Sequence, residues 1–289
     1  MIDAVRKGRQ QMAGQEHIEI RETFAARRLQ MAEIPGTVQV RGGERATMQV
    51  QIAGPKELVE RIGREVHGDV LRITGPRPRE GGGVTVISRS GGRVQANVFA
   101  SHEISVASGA VVGEDNVAIA GGRIVGGGSD VEPDGEVGVV VDVPLRTPLA
   151  IDAGLFGTYG VGDIEGPLEV RMRGGGNVTA GGMGTTRVSI QGAGDVEISG
   201  VNGSLLEVAI QGAGDVTVRD GQVDRLDVTV QGAGDAVYDG SARHANLSVM
   251  GAGDIRVNQV TESLNDRSMG SGRIRVHVPP RGDPDTFWS

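Results

Sequence analysis

Over much of its second half the chain alternates apolar and polar residues with a period of two. Segments such as Leu206-Glu207-Val208-Ala209-Ile210 and Val216-Thr217-Val218 put every second aliphatic side chain on one face. That pattern predicts strands with one buried face, because a helix would repeat its apolar positions with a period of 3.6. The β-branched content agrees. Between the strands stands Gly-Ala-Gly-Asp, at 192–195, 212–215, 232–235 and 251–254, and a degenerate copy, Gly270-Ser271-Gly272-Arg273, continues the same step. Near-constant steps of this size mark stacked units, so the chain reads as an all-β, right-handed parallel β-helix (β-solenoid) of about 20-residue coils. Gly160-Val161-Gly162-Asp163 and Gly174-Gly175-Gly176-Asn177 look like eroded copies, and extend the repeat to 139–278.

Each predicted coil has a strand, a tight corner, a second strand and a looser turn. Val201, Val223, Ala242 and Val260 are the inward residues of a short third side. Two glycines flanking one small residue permit positive φ and a sharp bend. Ala193, Ala213, Ala233 and Ala252 are therefore expected inside the corner. Parallel stacking at roughly 4.8 Å aligns equivalent residues in ladders. One ladder is Gln191, Gln211, Gln231 and then Met250, whose amides are able to hydrogen-bond along the axis. A second is Asp195, Asp215, Asp235 and Asp254, extended at one end by Asp163. Arg273 is expected to close its other end with a guanidinium beside Asp254.

Residues 1–80 read as an α+β cap. Short strands are expected at 17–24, 27–32, 37–41 and 46–52, and one helix at 55–67. Pro55 opens that helix, Gly68 ends it, and Leu58, Val59, Ile62 and Val66 share a face. Its expected role is to cover the first end of the stack, since an uncovered end is an open sheet. Residues 81–138 are Gly-rich with short aliphatic pieces, Val84–Ile87, Glu103–Val106 and Val117–Ile119, and read as irregular early coils or an excursion from the stack. Residues 279–289 read as a disordered tail.

Composition supports a solenoid over a two-layer fold, with 49 glycines and 2% aromatic residues among 289. The absence of cysteine excludes disulfides and thiolate metal sites. No apolar run is long enough for a membrane-spanning helix, so no membrane insertion is expected. Residues 1–80 hold 14 basic against 11 acidic side chains, and the remainder 15 against 26. That acidic balance argues against nucleic acid and anionic lipid as partners. Met1–Gln10 carries positive charge without the apolar stretch of a signal peptide, which predicts a cytoplasmic chain.

No catalytic constellation emerges. Histidines 17, 67, 102, 244 and 277 lack metal-ligand spacing. No glycine cluster precedes Lys-Ser or Lys-Thr, so there is no phosphate loop, and there is no serine nucleophile elbow. Arg281-Gly282-Asp283 stands in a Pro-rich tail and is read as chance. The aspartate ladder is the one repeated ionisable feature. Neighbouring charges one strand spacing apart repel by about 0.9 kcal/mol in water. The favoured reading is that each carboxylate accepts backbone N–H bonds at its own corner. The sharper alternative is a calcium row of Asp195, Asp215, Asp235 and Asp254. A glycan-processing β-helix is a further alternative, with paired carboxylates on one face. Trp288, Tyr159 and Tyr238 are too few to build sugar-stacking platforms.

The repeated corners, together with Phe24, Gly36-Thr37-Val38-Gln39-Val40, Leu58, Leu71-Arg72-Ile73 and Val141-Asp142-Val143-Pro144-Leu145, resemble the bacterial putative auto-transporter adhesin head GIN domain family. That resemblance implies a β-solenoid of envelope association and adhesive character, without assigned activity or cofactor. The resulting expectation is a non-enzymatic structural or adhesive module whose protein or cell-surface partner is unknown and which could self-associate. The alternative is a cytoplasmic filament-forming scaffold resembling bactofilins, in keeping with the missing signal peptide.

Overall fold

Alternation with a period of two has a direct structural result. In each strand of the stack the even or odd set of aliphatic side chains turns inward, and the polar set lines the outside. The computed structural model describes residues 8–12, 15–75, 84–89, 93–98, 118–120, 123–125, 137–154 and 157–277. It is nearly all β, with 73% strand and 3% helix, and contains a parallel β-solenoid of about 7 turns, ~19 residues apart.

The strands that precede the corners stack as Val70–Thr74, Arg28–Ala32, Leu149–Ala153, Leu168–Met172 and Thr186–Gly192, followed by the second halves of Asp195–Gly212, Gly221–Gly232, Ala236–Gly251 and Ile255–Gly270. The strands that follow the corners stack as Val137–Pro144, Gly36–Gly43, Thr158–Val161 and Asn177–Met183. After these come the first part of Asp195–Gly212, Val216–Val218, the starts of Ala236–Gly251 and Ile255–Gly270, and Ile274–Val276. The third side is short, and Val201, Val223, Ala242 and Val260 all point into the core there, at 0–3% exposure. Val201 pairs with Gly221, while Val223, Ala242 and Val260 form a row with one another.

The core consists of in-register aliphatic rows. Met31, Ile151, Val170, Val188, Val208, Val228 and Leu247 are one such row, and every member is buried. Burial of each Val or Leu contributes roughly 1.5–3 kcal/mol. Two aromatic side chains interrupt the aliphatics. Tyr159 is fully buried, and its hydroxyl oxygen accepts the Ile34 N–H at 3.1 Å. The Tyr238 hydroxyl lies 3.0 Å from the carbonyls of both Gly221 and Ser241.

The stack starts earlier in the sequence than residue 139. Arg28–Ala32 and Gly36–Gly43 form a complete coil, and its neighbour on the first side is built from Val70–Thr74 and Val137–Pro144. Its neighbour on the other side is built from Leu149–Ala153 and Thr158–Val161. The chain therefore lays the second coil first. Between the two strands of the first coil, where other coils have a short corner, the chain passes through residues 77–134, a compact unit of their own. Its described parts are two antiparallel pairs, Val84–Arg89 with Arg93–Val98 and Ala118–Ala120 with Arg123–Val125. The predicted strand at 103–106 lies outside the described residues, as does the predicted tail at 279–289.

On the first side of the stack the sheet continues with antiparallel strands. Val137–Pro144 pairs with Met48–Pro55, which pairs with Gln15–Phe24, which pairs with Gly8–Met12. The helix predicted over 55–67 covers only Lys56–Arg61. Ile62 is already extended, and Gly63–His67 forms a hairpin with Val70–Thr74 about the turn at Gly68, whose φ is +63°. A five-rung antiparallel ladder anchored on the edge of the stack outweighs the helix propensity of a segment that contains Gly63. Val59 and Ile62 are buried as expected, but Val66 is 44% exposed. Arg64 pairs with Glu22 of Gln15–Phe24 at 3.0 Å. Helix and antiparallel strands together cover the first end of the core.

Candidate interaction faces and the aspartate row

The corner is the motif that repeats, and its two glycines serve different needs. The first of each pair adopts positive φ, +151° at Gly212, where L-residues are strained. The second, Gly214, is inward and buried. A Cβ there would overlap the Gly194 carbonyl oxygen and lie 3.0 Å from Ile190 Cγ2. The alanine between them is the outward residue. Ala193, Ala213, Ala233 and Ala252 are all exposed, contrary to the expectation that they fill the inside of the bend. Alternation explains the inversion: the buried Val216 fixes the parity, so Gly214 faces in, and Ala213 and Asp215 face out.

The aspartates form a register-true row. Asp195, Asp215, Asp235 and Asp254 align, with Asn177 before them and Arg273 after. Each carboxylate accepts from the next coil rather than at its own corner. Asp195 Oδ1 accepts the Asp215 N–H at 3.1 Å, Asp215 Oδ1 that of Asp235 at 2.8 Å, and Asp235 Oδ1 that of Asp254 at 2.7 Å. Asp254 Oδ1 accepts the Arg273 N–H at 2.9 Å. Bending at the corner takes this one N–H off the carbonyl ladder, and the carboxylate of the preceding coil supplies the acceptor. The fifth copy is thus in register as predicted. The guanidinium that reaches Asp254, however, is that of Arg275, with Nη1 3.4 Å from Oδ2.

Asp163 does not extend the row. Thr158 occupies that position in its coil, and Asp163 Oδ1 instead accepts the Gly182 N–H at 2.7 Å on a different part of the stack. Gly157 directly precedes Thr158, as Gly176 precedes Asn177, so the corner position of that coil lies before Thr158 and not at Gly160–Asp163. Among the described residues, no three His, Cys, Asp or Glu side chains converge closely enough to hold a metal ion.

Gln191, Gln211, Gln231, Met250 and Met269 do align, exposed, along one outer edge. Charged partners stitch successive coils on the same outer surfaces. Arg187 meets Glu207 at 2.9 Å, Arg219 meets Glu197 at 2.6 Å and Arg256 meets Asp239 at 3.0 Å, while Asn246 donates to Asp227 at 2.8 Å. All are solvent-exposed, so each contributes less than about 1 kcal/mol. On the post-corner face, glycines replace the outer side chains at 160, 162 and 181 and leave a shallow groove of about 410 Å³. Gln39, Arg41, Thr179 and Ser199 border it. Sequence reasoning missed this groove, although Gly160 and Gly162 in a strand signal it: neither has positive φ, and a Cβ on either would meet nothing nearer than 3.5 Å.

The stacked coils and their outward ladders define a parallel β-solenoid. Residues 159–280 match the family described as "Putative auto-transporter adhesin, head GIN domain", which meets the resemblance drawn from the sequence. No curated protein matches the chain. Among solved structures, a putative adhesin from Bacteroides fragilis NCTC 9343 shares the fold, with a TM-score of 0.55 at 15% identity over 90% of this chain and 97% of that one. A putative lipid binding protein from Parabacteroides distasonis ATCC 8503 aligns with a TM-score of 0.49 at 13% identity, over 90% of this chain and 97% of that one. A putative adhesin from the same organism gives 0.42 at 13%, over 91% and 98%.

Proposed function

We propose that this chain is a non-enzymatic adhesive or structural module that acts at the bacterial cell envelope, with an unidentified protein or cell-surface partner and without a cofactor. The observation that carries this reading is the match of residues 159–280 to the adhesin head family. The geometry suits it: flat outer faces are made of in-register ladders, with a groove over Gly160 and Gly162 that leaves room for an extended ligand lying across the coils. Among the described residues no helix is long and apolar enough to cross a membrane. The filament-forming alternative gains no support from a stack whose first end is covered by a helix and antiparallel strands.

Intact producing cells treated with an external protease test the reading. Loss of the chain from intact cells, with a cytosolic marker spared, supports envelope display. Degradation only after lysis overturns it.

A further inference from the structure

The last coil departs from the core pattern at two adjoining inward positions, one of them charged. Along the row that starts with Ile73 and Met31, each coil contributes an apolar side chain, through Ile151, Val170, Val188, Val208, Val228 and Leu247. The next residue in register, paired with Leu247 on the final long strand, is Asp266. Parity makes it an inward position, yet it holds a carboxylate. The adjoining inward position, paired with Val249, is Ser268, whose hydroxyl donates to the Gly272 carbonyl at 2.8 Å. Among the described residues the end of the core around them is open: residues 261–270 are exposed throughout, including Leu264 at 36%, and this part of the strand has no partner on its outer side.

We propose that Asp266 guards the open end of the solenoid against a second copy of this chain. An edge strand with free N–H and C=O groups above an apolar core is a template for another strand, and an inward-pointing charge blocks that pairing, because continuing the stack would bury the carboxylate without a partner. The incoming strand would be the equivalent last coil of another molecule, since the opposite end of each stack is already covered. Two-fold pairing of last coils would bring two Asp266 carboxylates into one dry interior, where like charges repel. Removing the charge should therefore produce a dimer and not a filament.

Sedimentation velocity of the full chain over a range of concentrations tests this. The wild type and Asn265→Val, which adds an apolar side chain at the neighbouring outward position, are expected to sediment as monomers. Asp266→Val is expected to double in mass while keeping its β-rich circular dichroism. Asp266→Lys, which keeps a charge at the site, is expected to stay monomeric. If Asp266→Val fails to fold, Asp266→Ala decides in the same way. A folded, monomeric Asp266→Val, a wild type that is itself a dimer, or equal association by Asn265→Val would each overturn the proposal.

Discussion

Asp215 Oδ1 accepts the backbone N–H of Asp235 at 2.8 Å, one coil further along the stack. The carboxylate thus substitutes for a peptide carbonyl at the corner N–H of Asp215, Asp235, Asp254 and Arg273, where the equivalent N–H of Asp195 still reaches the Gly176 carbonyl. Acceptance, rather than charge, is what the site needs. Asp215→Asn retains an acceptor oxygen and removes one repelling charge, so its unfolding free energy should lie within about 0.5 kcal/mol of wild type. Asp215→Ala should lose about 1 kcal/mol, the usual net value of a hydrogen bond. Equal destabilisation by both substitutions in denaturant titrations would show that the negative charge itself matters.

The corner makes a contrasting pair of predictions. Ala213 is exposed, so Ala213→Leu should change stability by no more than about 0.5 kcal/mol. Gly214→Ala should cost about 2 to 3 kcal/mol, because its Cβ would press on the Gly194 carbonyl and on Ile190 Cγ2. Thermal melts of the two variants check the ordering. A larger loss for Ala213→Leu would mean that the corner is turned the other way.

Calcium should leave the melting temperature unchanged at millimolar concentration, once ionic strength is matched. One oxygen of each aspartate in the row is already committed to a backbone N–H, and no trio of ligands converges among the described residues. A saturable rise that Asp215→Asn abolishes would establish a calcium row instead.

Alkaline pH should reveal the chain's two tyrosines. Burial, reinforced by the charges of Asp152 and Glu33 against the bond from Ile34, pushes Tyr159 up to about 12. Burial, then the charge of Asp220, also raises Tyr238. A raised folded-state value means that the unfolded chain loses the proton first. The stability associated with Tyr159 is therefore intact below pH 10 and declines as pH climbs from about 10 to 12, by about 2 to 3 kcal/mol in all. Absorbance at tyrosinate wavelengths should stay flat through pH 10 and rise together with unfolding. An independent titration near the ordinary phenol value would place at least one ring in solvent.

Much of this architecture was legible from the spacing of four tetrapeptides, because a parallel stack imposes its period on the sequence and buried rows impose alternation. The register of Arg273 with Asp254 followed from counting along the chain. The features that escaped are those decided between coils or between distant segments. Gly-Ala-Gly reads equally well with the alanine inside or outside, and the crowding that settles it at Gly214 comes from the Gly194 carbonyl, one coil earlier. The carboxylate bonds likewise cross from one coil to the next. The apolar spacing of Leu58, Val59, Ile62 and Val66 fits a helix, while Gly68-Asp69 reads as either a helix stop or a hairpin turn. The hairpin wins because Val70–Thr74 has a place on the stack and Gly63–His67 can pair with it. Asp266 was visible as a residue but not as a break in a row, since its predecessors extend back through every coil to Ile73.

The placement of Val137–Pro144 between Gly36–Gly43 and Met48–Pro55 has a consequence for biosynthesis. These two flanking strands are separated only by the short turn at 44–47, yet they never pair with each other; each waits for a strand that begins at Val137. A ribosome that has released the chain only as far as Gly75 has released two halves of a sheet without their shared middle. Loop-closure entropy makes such distant joins slow. During translation the facing edges of Gly36–Gly43 and Met48–Pro55 must remain unpaired, or held by other factors, until Pro144 emerges. Val137–Pro144 then joins the antiparallel strands of the covered end to the beginning of the stack.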